Sequence, residues 1–304
     1  MFTKMICGLL LAAISVTSVS AQDAPASSSA VPEKIVFVFQ KQKNPQDVKA
    51  SADKVAAYLA EKVGTEVEVL VPSSYGASVQ AIVSNKAQLA YTSALPFLLA
   101  QKEAPVRLIV AEERDGRTDY DSIIVVAKDS PIKTLDDLKG KRMVFTSPTS
   151  TSGYVFAYGR LIADGLLKPG QDPKEFFSNV TFGGGYDRAL LAVANGQADA
   201  CAVSDYTMEG AKADVYLKKE DRDKLRVLSE TPGVPTHAIM IRSDLPKDFQ
   251  EKMQNALVSL STDHPELLAD VYGASKLVKT DDSHVKAAAK AIEDTKLSVV
   301  ELNK

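Results

Sequence analysis

The stretch Ser147-Pro148-Thr149-Ser150-Thr151-Ser152-Gly153-Tyr154 is read through its two flanks. Before it, Arg142-Met143-Val144-Phe145 follows a lysine–glycine turn and is apolar enough for a buried strand. After it, Val155, Phe156, Tyr158, Leu161 and Ile162 recur at helical spacing, and Gly165 is a stop signal. Hydroxyls and a glycine therefore stand where a strand passes into a helix. The first turn of a helix leaves four N–H groups unpaired and carries a partial positive charge. Ser150, Thr151 and Ser152 add hydroxyl donors there, and Gly153 is expected to let a ligand approach the backbone. The stretch reads as a socket for a small oxyanion. One hydroxyl would suffice for an ordinary cap, which is the competing reading.

Outward from this point, strand and helix alternate. Lys34 to Phe39 is nearly continuous in apolar residues, as in a strand covered on both faces. Asn44-Pro45 opens a helix that Gly64 ends, and strands follow at Glu66–Val71, Gln88–Tyr91, Val106–Ala111 and Ser122–Ala127. After the socket come strands at Asn179–Phe182 and Ala198–Val203, and later at Leu225–Leu228 and His237–Ile241. The last two are expected to be joined by a turn at Pro232-Gly233-Val234-Pro235, with everything after Pro246 helical. The alternation predicts an α/β fold of parallel sheets with helices on both faces. It runs twice, so two doubly wound lobes with a cleft between them are expected.

The N-terminus reads as a targeting segment. Lys4 precedes an apolar run from Met5 to Val16, and Val19-Ser20-Ala21 is a small-residue cleavage site. Residues 1–21 are thus expected to be a signal peptide and 22–32 a flexible leader. The exported chain keeps only Cys201, which excludes an intramolecular disulfide, and about 270 residues remain beyond the leader. The formal net charge is −3, and loss of Lys4 leaves −4. That balance argues against nucleic acid and against anionic membranes as partners.

In open α/β sheets ligands lie at the carboxyl ends of strands. The junctions there are Ser73-Ser74-Tyr75-Gly76, Tyr91-Thr92-Ser93, the socket, Gly183-Gly184-Gly185-Tyr186 and Ser204-Asp205-Tyr206-Thr207. Nearly all offer a hydroxyl or a glycine, and none offers Lys, Arg or a carboxylate pair. Thr236-His237 precedes a strand instead. The candidate binding residues are Ser150, Thr151, Ser152, Tyr75, Thr92, Ser93, Tyr186, Tyr206 and His237. His237 reads either as a plain strand residue or as a pocket donor whose charge near neutral pH tunes affinity. Cys201 sits in an apolar strand and reads as core. No metal-ligand spacing occurs, no cofactor is implied, and a hydrolase would lack a base near the socket serines.

Lys139-Gly140-Lys141 with Phe145, Ser150-Thr151-Ser152-Gly153-Tyr154, and the run from Gly184 to Ala200 resemble the phosphate/phosphite/phosphonate family of periplasmic solute-binding proteins of ABC transporters. The resemblance spans about Lys34 to Arg242 and implies a type II periplasmic-binding-protein fold with two crossovers. Lobe 1 would comprise 33–124 and 234–304, lobe 2 would comprise 125–233, and the hinge would lie near Ser122–Ala127 and Thr236–Ile241. It also implies that Ser150, Thr151 and Ser152 hold a phosphorus oxyanion, with Tyr75 and Thr92 on the facing lobe. A periplasmic monomer that hands its ligand to an ABC permease is the implied role. A sensory module for a membrane kinase, or a receptor for another oxyanion such as selenate, is the alternative. Where members selective for an aminoalkyl phosphonate carry acidic residues, this chain has Tyr206 and His237, so an ammonium-bearing ligand would be desolvated without a partner.

Overall fold

The computed structural model describes residues 30–40, 45–210, 213–271 and 273–297. The expected signal peptide and nearly all of the leader lie outside the described residues. In chain order the elements of the first sheet begin with β1 (Lys34–Phe39), α1 (Pro45–Val63), β2 (Glu66–Leu70), α2 (Tyr75–Val83), β3 (Leu89–Thr92), α3 (Ala94–Glu103) and β4 (Val106–Glu113). The second sheet is built from β5 (Asp119–Ala127), β6 (Arg142–Phe145), a π-helical segment (Thr151–Phe156) running into α4 (Ala157–Ala163), β7 (Asn179–Phe182), α5 (Tyr186–Ala194), β8 (Ala200–Ser204), the short helices α6 (Ala213–Tyr216) and α7 (Lys219–Arg222), and β9 (Leu225–Pro235). The chain then returns with β10 (Ala238–Arg242), α8 (Lys247–Asp263), α9 (Pro265–Val271), β11 (Lys276–Lys279) and α10 (Lys286–Thr295).

The strand order is β11-β4-β10-β3-β1-β2 in lobe 1 and β7-β6-β8-β5-β9 in lobe 2. β1 pairs in parallel with β2 and β3, and β6 with β7 and β8. The sheets are mixed, however, not parallel throughout. β10 enters lobe 1 antiparallel to β3 and β4, and β5 enters lobe 2 antiparallel to β8 and β9. Each is the strand that arrives from the other lobe, so no βαβ crossover fixes its direction.

Those two arrivals place the hinge. β5 is paired within lobe 2 from Asp119 onward, and Val234 and Pro235 still pair with it. The crossings are therefore 114–118, ahead of the expected Ser122–Ala127, and Thr236-His237, at the start of the expected Thr236–Ile241. The proline-rich segment is likewise the end of β9 and not a turn. β9 pairs only with β5, so its outer N–H positions need no partner and proline is tolerated. Between the pairs Tyr120↔Val234 and Ser122↔Thr231 β9 carries one extra residue, a bulge at which Gly233 takes φ +85°. A further correction concerns the tail: Lys276–Lys279 is an edge strand, antiparallel to β4, inside the region expected to be wholly helical. Four residues are too few to display a period in sequence.

The interior of lobe 1 on its α1 and α8 face is one apolar cluster, including Phe37, Leu59, Ile239 and Leu257. A second continuous cluster runs from Val38, Leu95 and Phe97 of lobe 1 through Tyr120 to Phe145, Tyr154 and Tyr158 of lobe 2. α10 contributes Val285, its N-terminal cap residue, and Ala288 to it, and touches both α3 and α4. Cys201 is buried in β8 among Ile123, Val125 and Leu190, and burial pushes its thiol upward, so it is an inert core residue. The charged run after Leu217 forms α7 and its flank, with Lys219 paired to Asp223 and Lys224 to Asp221 on the exposed surface. No helix among the described residues is long and apolar enough to cross a membrane.

Candidate functional site

Ser150 ends the loop after β6 in extended conformation, and its hydroxyl accepts from the Gly153 N–H at 3.0 Å. It is the cap of the helix that follows. The first turn is π-helical, with the Val155 N–H reaching the Ser150 carbonyl at 3.2 Å. Such turns are rare and occur often at functional sites. Gly153 serves packing, and the expected ligand approach is not its reason. A Cβ there would lie 2.1 Å from Thr146 Oγ1 and 2.5 Å from Thr146 Cβ. The helix start is thus pressed against the end of β6, which is what holds the adjoining hydroxyls in place.

Ser152 and Thr151 leave this turn in different directions. Ser152 Oγ is 3.0 Å from the Tyr186 hydroxyl and 2.9 Å from Ser204 Oγ, while its carbonyl accepts from Ser122 Oγ at 2.8 Å. A chain of hydroxyls from β5, β8, α5 and the socket thereby meets within lobe 2. Thr151 faces lobe 1: its Oγ1 accepts from the Leu95 N–H of α3 at 3.0 Å. That N–H is one of the unpaired donors of the first turn of α3. Thr151 therefore caps a helix of the opposite lobe.

On lobe 1, Ser74 caps α2 through the Ala77 N–H, as a capping serine should, and Tyr75 is buried. Thr92 and Ser93 do not direct their hydroxyls to the lobe boundary as expected. Both donate to Gln40 Oε1, at 3.3 and 3.2 Å, and the Ser93 N–H joins them at 3.1 Å. Gln40 was not among the sequence candidates, although it stands at the carboxyl end of β1, a junction passed over together with that of β4.

Around this seam the rings of Tyr120, Tyr186, Tyr206 and Tyr216 pack edge to face or tilted, with centroids 5.2 to 6.1 Å apart. The hydroxyls of Tyr75, Tyr120 and Tyr206 and the Gln40 amide nitrogen are buried and have no hydrogen-bond partner in the protein. Burial raises the pKa of all three tyrosines, so they remain O–H donors. The Tyr206 ring packs against both Tyr120 and Tyr186, so the rings carrying two of these free hydroxyls adjoin the Ser152–Tyr186–Ser204 chain. Buried polar groups in native proteins are nearly always satisfied. A ligand that only accepts hydrogen bonds fits such a set of donors.

His237 sits at the second crossing, fully buried, stacked on Tyr120 at 6.0 Å and tilted against Tyr91 at 5.3 Å. Burial first, then the charges of Arg114 and His284, lower its pKa to about 3. It is neutral in the physiological range, so it is not the neutral-pH switch entertained from sequence. Neither ring nitrogen makes a hydrogen bond, although Nδ1 lies 3.8 Å from Glu112 Oε2.

Although none of the expected junctions offers Lys or Arg, a cation stands behind the site. Arg114 donates to Glu112 Oε2 through Nη2 at 2.9 Å and to the Gly273 carbonyl at 2.9 Å. Its guanidinium lies 4.5 Å from the centre of the Tyr206 ring. Tyr91 donates to the other Glu112 oxygen at 2.5 Å. Glu112 is fully buried, and burial pushes its carboxyl up while Arg114 and Tyr91 pull it back. A groove of about 560 Å³ opens beside Tyr206 and Arg114. Among the described residues no group of His, Cys, Asp and Glu is arranged to hold a metal ion.

Residues 37–285 match the family model described as the periplasmic substrate-binding protein of a phosphonate ABC transporter. The chain belongs to this family. It is 31% identical over 206 residues to the phosphate-import protein PhnD of Mycolicibacterium smegmatis, covering 65% of this chain and 63% of that one. It is 26% identical over 254 residues to the phosphonates-binding periplasmic protein of Escherichia coli, covering 80% and 71%. The fold superimposes on PhnD1 of Prochlorococcus marinus, solved in complex with methylphosphonate, with TM-score 0.76, 18% identity and coverage of 88% and 99%.

Proposed function

We propose that this protein is a periplasmic solute-binding protein. It captures a small phosphorus oxyanion (phosphite, phosphate or an alkylphosphonate) between its lobes and presents it to an ABC permease. The observation that carries this reading is the set of buried, unpartnered O–H and N–H donors beside the Ser152–Tyr186–Ser204 hydroxyl chain. Family membership and the phosphorus ligands named for its relatives support it. On this reading Ser150, Thr151 and Ser152 hold the oxyanion at the start of the helix. Tyr75 meets it from the other lobe, and Tyr186, Tyr206 and His237 complete the wall. The contacts of the second lobe supply the differential affinity that favours closure. Thr92 and Ser93 support the site through Gln40.

The protein binds without turnover, as a monomer, exported by cleavage after Ala21. The one fully buried carboxylate among the described residues at the site, Glu112, is already engaged by Arg114 and Tyr91, which leaves an ammonium group unmatched. Calorimetric titration of residues 22–304 with phosphite, phosphate, methylphosphonate and 2-aminoethylphosphonate is the test. One-to-one binding of at least one of the first three, weak binding of the fourth and no released product are expected. Tight binding of 2-aminoethylphosphonate with the others inert would overturn it.

A further inference from the structure

Gln40 is 1% exposed, and its amide has a fixed orientation. A backbone N–H can only donate, so the Gln40 atom facing the Ser93 N–H is the oxygen. The hydroxyls of Ser93 and Thr92 converge on that same oxygen. The amide nitrogen must then point the opposite way, and there it meets no acceptor in the protein. The Tyr75 hydroxyl is likewise buried without a hydrogen-bond partner, close enough to interact with the amide. Two donors lie side by side in the interior of the seam. An unmet buried donor is costly, and three hydrogen bonds spent on holding one amide are more than packing requires. An oxygen that only accepts would satisfy both Gln40 and Tyr75.

We propose that Gln40 is a ligand-binding residue of lobe 1. Its Nε2 donates to an oxygen of the bound anion, and Thr92 and Ser93 are positioning residues that act through its Oε1. The assignment rests on the oxyanion reading above. It gives lobe 1 a neutral donor pair, Gln40 and Tyr75, opposite the hydroxyls of lobe 2.

The discriminating variant is Gln40→Glu, which keeps an acceptor for Thr92 and Ser93 and replaces only the donor. Phosphite and methylphosphonate are titrated into wild type and variant from pH 5 to 8.5, with thermal melting as the control for folding. At pH 8 the variant is expected to bind both about tenfold or more weakly, the loss of a hydrogen bond to a charged group. The ratio of variant to wild-type Kd is expected to fall toward one on acidification, because a protonated carboxyl again offers an O–H donor. Gln40→Met, which has no donor at any pH, should be weak throughout. A Gln40→Glu protein that matches wild type at pH 8, or a ratio independent of pH, would overturn the assignment. Should Gln40→Glu fail to fold, Gln40→Met with wild-type affinity overturns it equally. A wild type that binds neither anion removes the oxyanion reading itself, an outcome separate from a binding wild type whose Gln40 variants are unaffected.

Discussion

At position 153 there is no room for a methyl group. The Cβ of Gly153→Ala would collide with both Oγ1 and Cβ of Thr146, so Thr146→Ala cannot relieve it. The variant should lose about 1–3 kcal/mol of stability, the usual cost of overpacking, seen as a lowered Tm. His237 makes a second expectation at this scale. Its folded-state pKa, about 3, lies below the ordinary histidine value, so the unfolded chain binds the extra proton. The contribution is intact above about pH 6.5 and is lost as pH falls toward 3. His237→Phe, which keeps the stack on Tyr120, should therefore flatten the fall of Tm over that window, while leaving the binding profile between pH 6 and 8 unchanged. Neither feature was decided by the chain: a glycine in a serine-rich run reads as access, and a histidine beside a strand reads equally as a structural residue or a titrating donor. Burial decides both, and burial belongs to the partners, not to the residue. The hydroxyls of Ser152 and Tyr186, by contrast, were legible because strand and helix flanks alone fix where they stand.

The socket turn shows what an element adds to its residues. Hydrophobic spacing located β6 and α4, yet not the π-helical turn between them, since six residues are too few to show a period of their own. That turn aims Thr151 across the seam at the Leu95 N–H. Thr151→Val keeps the shape and removes the acceptor, leaving that N–H unpaired only when the lobes are together. Affinity for methylphosphonate should fall by about 1–3 kcal/mol, with a smaller effect on Tm. Thr151→Ser should restore most of it, and calorimetry distinguishes the two. The far half of β9, beyond the expected strand Leu225–Leu228, and the whole of β11 escaped the sequence reading for a related reason. A strand paired on one side tolerates prolines and charges that a central strand excludes.

For the molecule as a whole, the two-lobed plan was legible because the βαβ alternation is written twice, while the antiparallel arrivals of β5 and β10 were not, since direction depends on which lobe a strand leaves. Arg114 ties these halves together: it is anchored in lobe 1 by Glu112 and Gly273 and rests on the Tyr206 ring of lobe 2. A cation over an aromatic face contributes about 0.5–2 kcal/mol depending on its desolvation. Tyr206→Leu should thus shift the ligand-free protein toward an extended form, read as an increased radius of gyration by small-angle scattering. Tyr206→Phe retains the ring and should scatter like wild type. Equal scattering from all three would show that the stack does not hold the lobes.

α10 leans on α3 from one lobe and on α4 from the other, so parting the halves must drag this last helix along one of them. If solute closes the lobes as proposed, α10 is expected to slide against one of them, and Lys290, exposed on α10 and paired with Asp294 one turn on, would ride with it. An environment-sensitive dye attached there would brighten or dim with occupancy, making the protein a reagentless gauge for its own cargo.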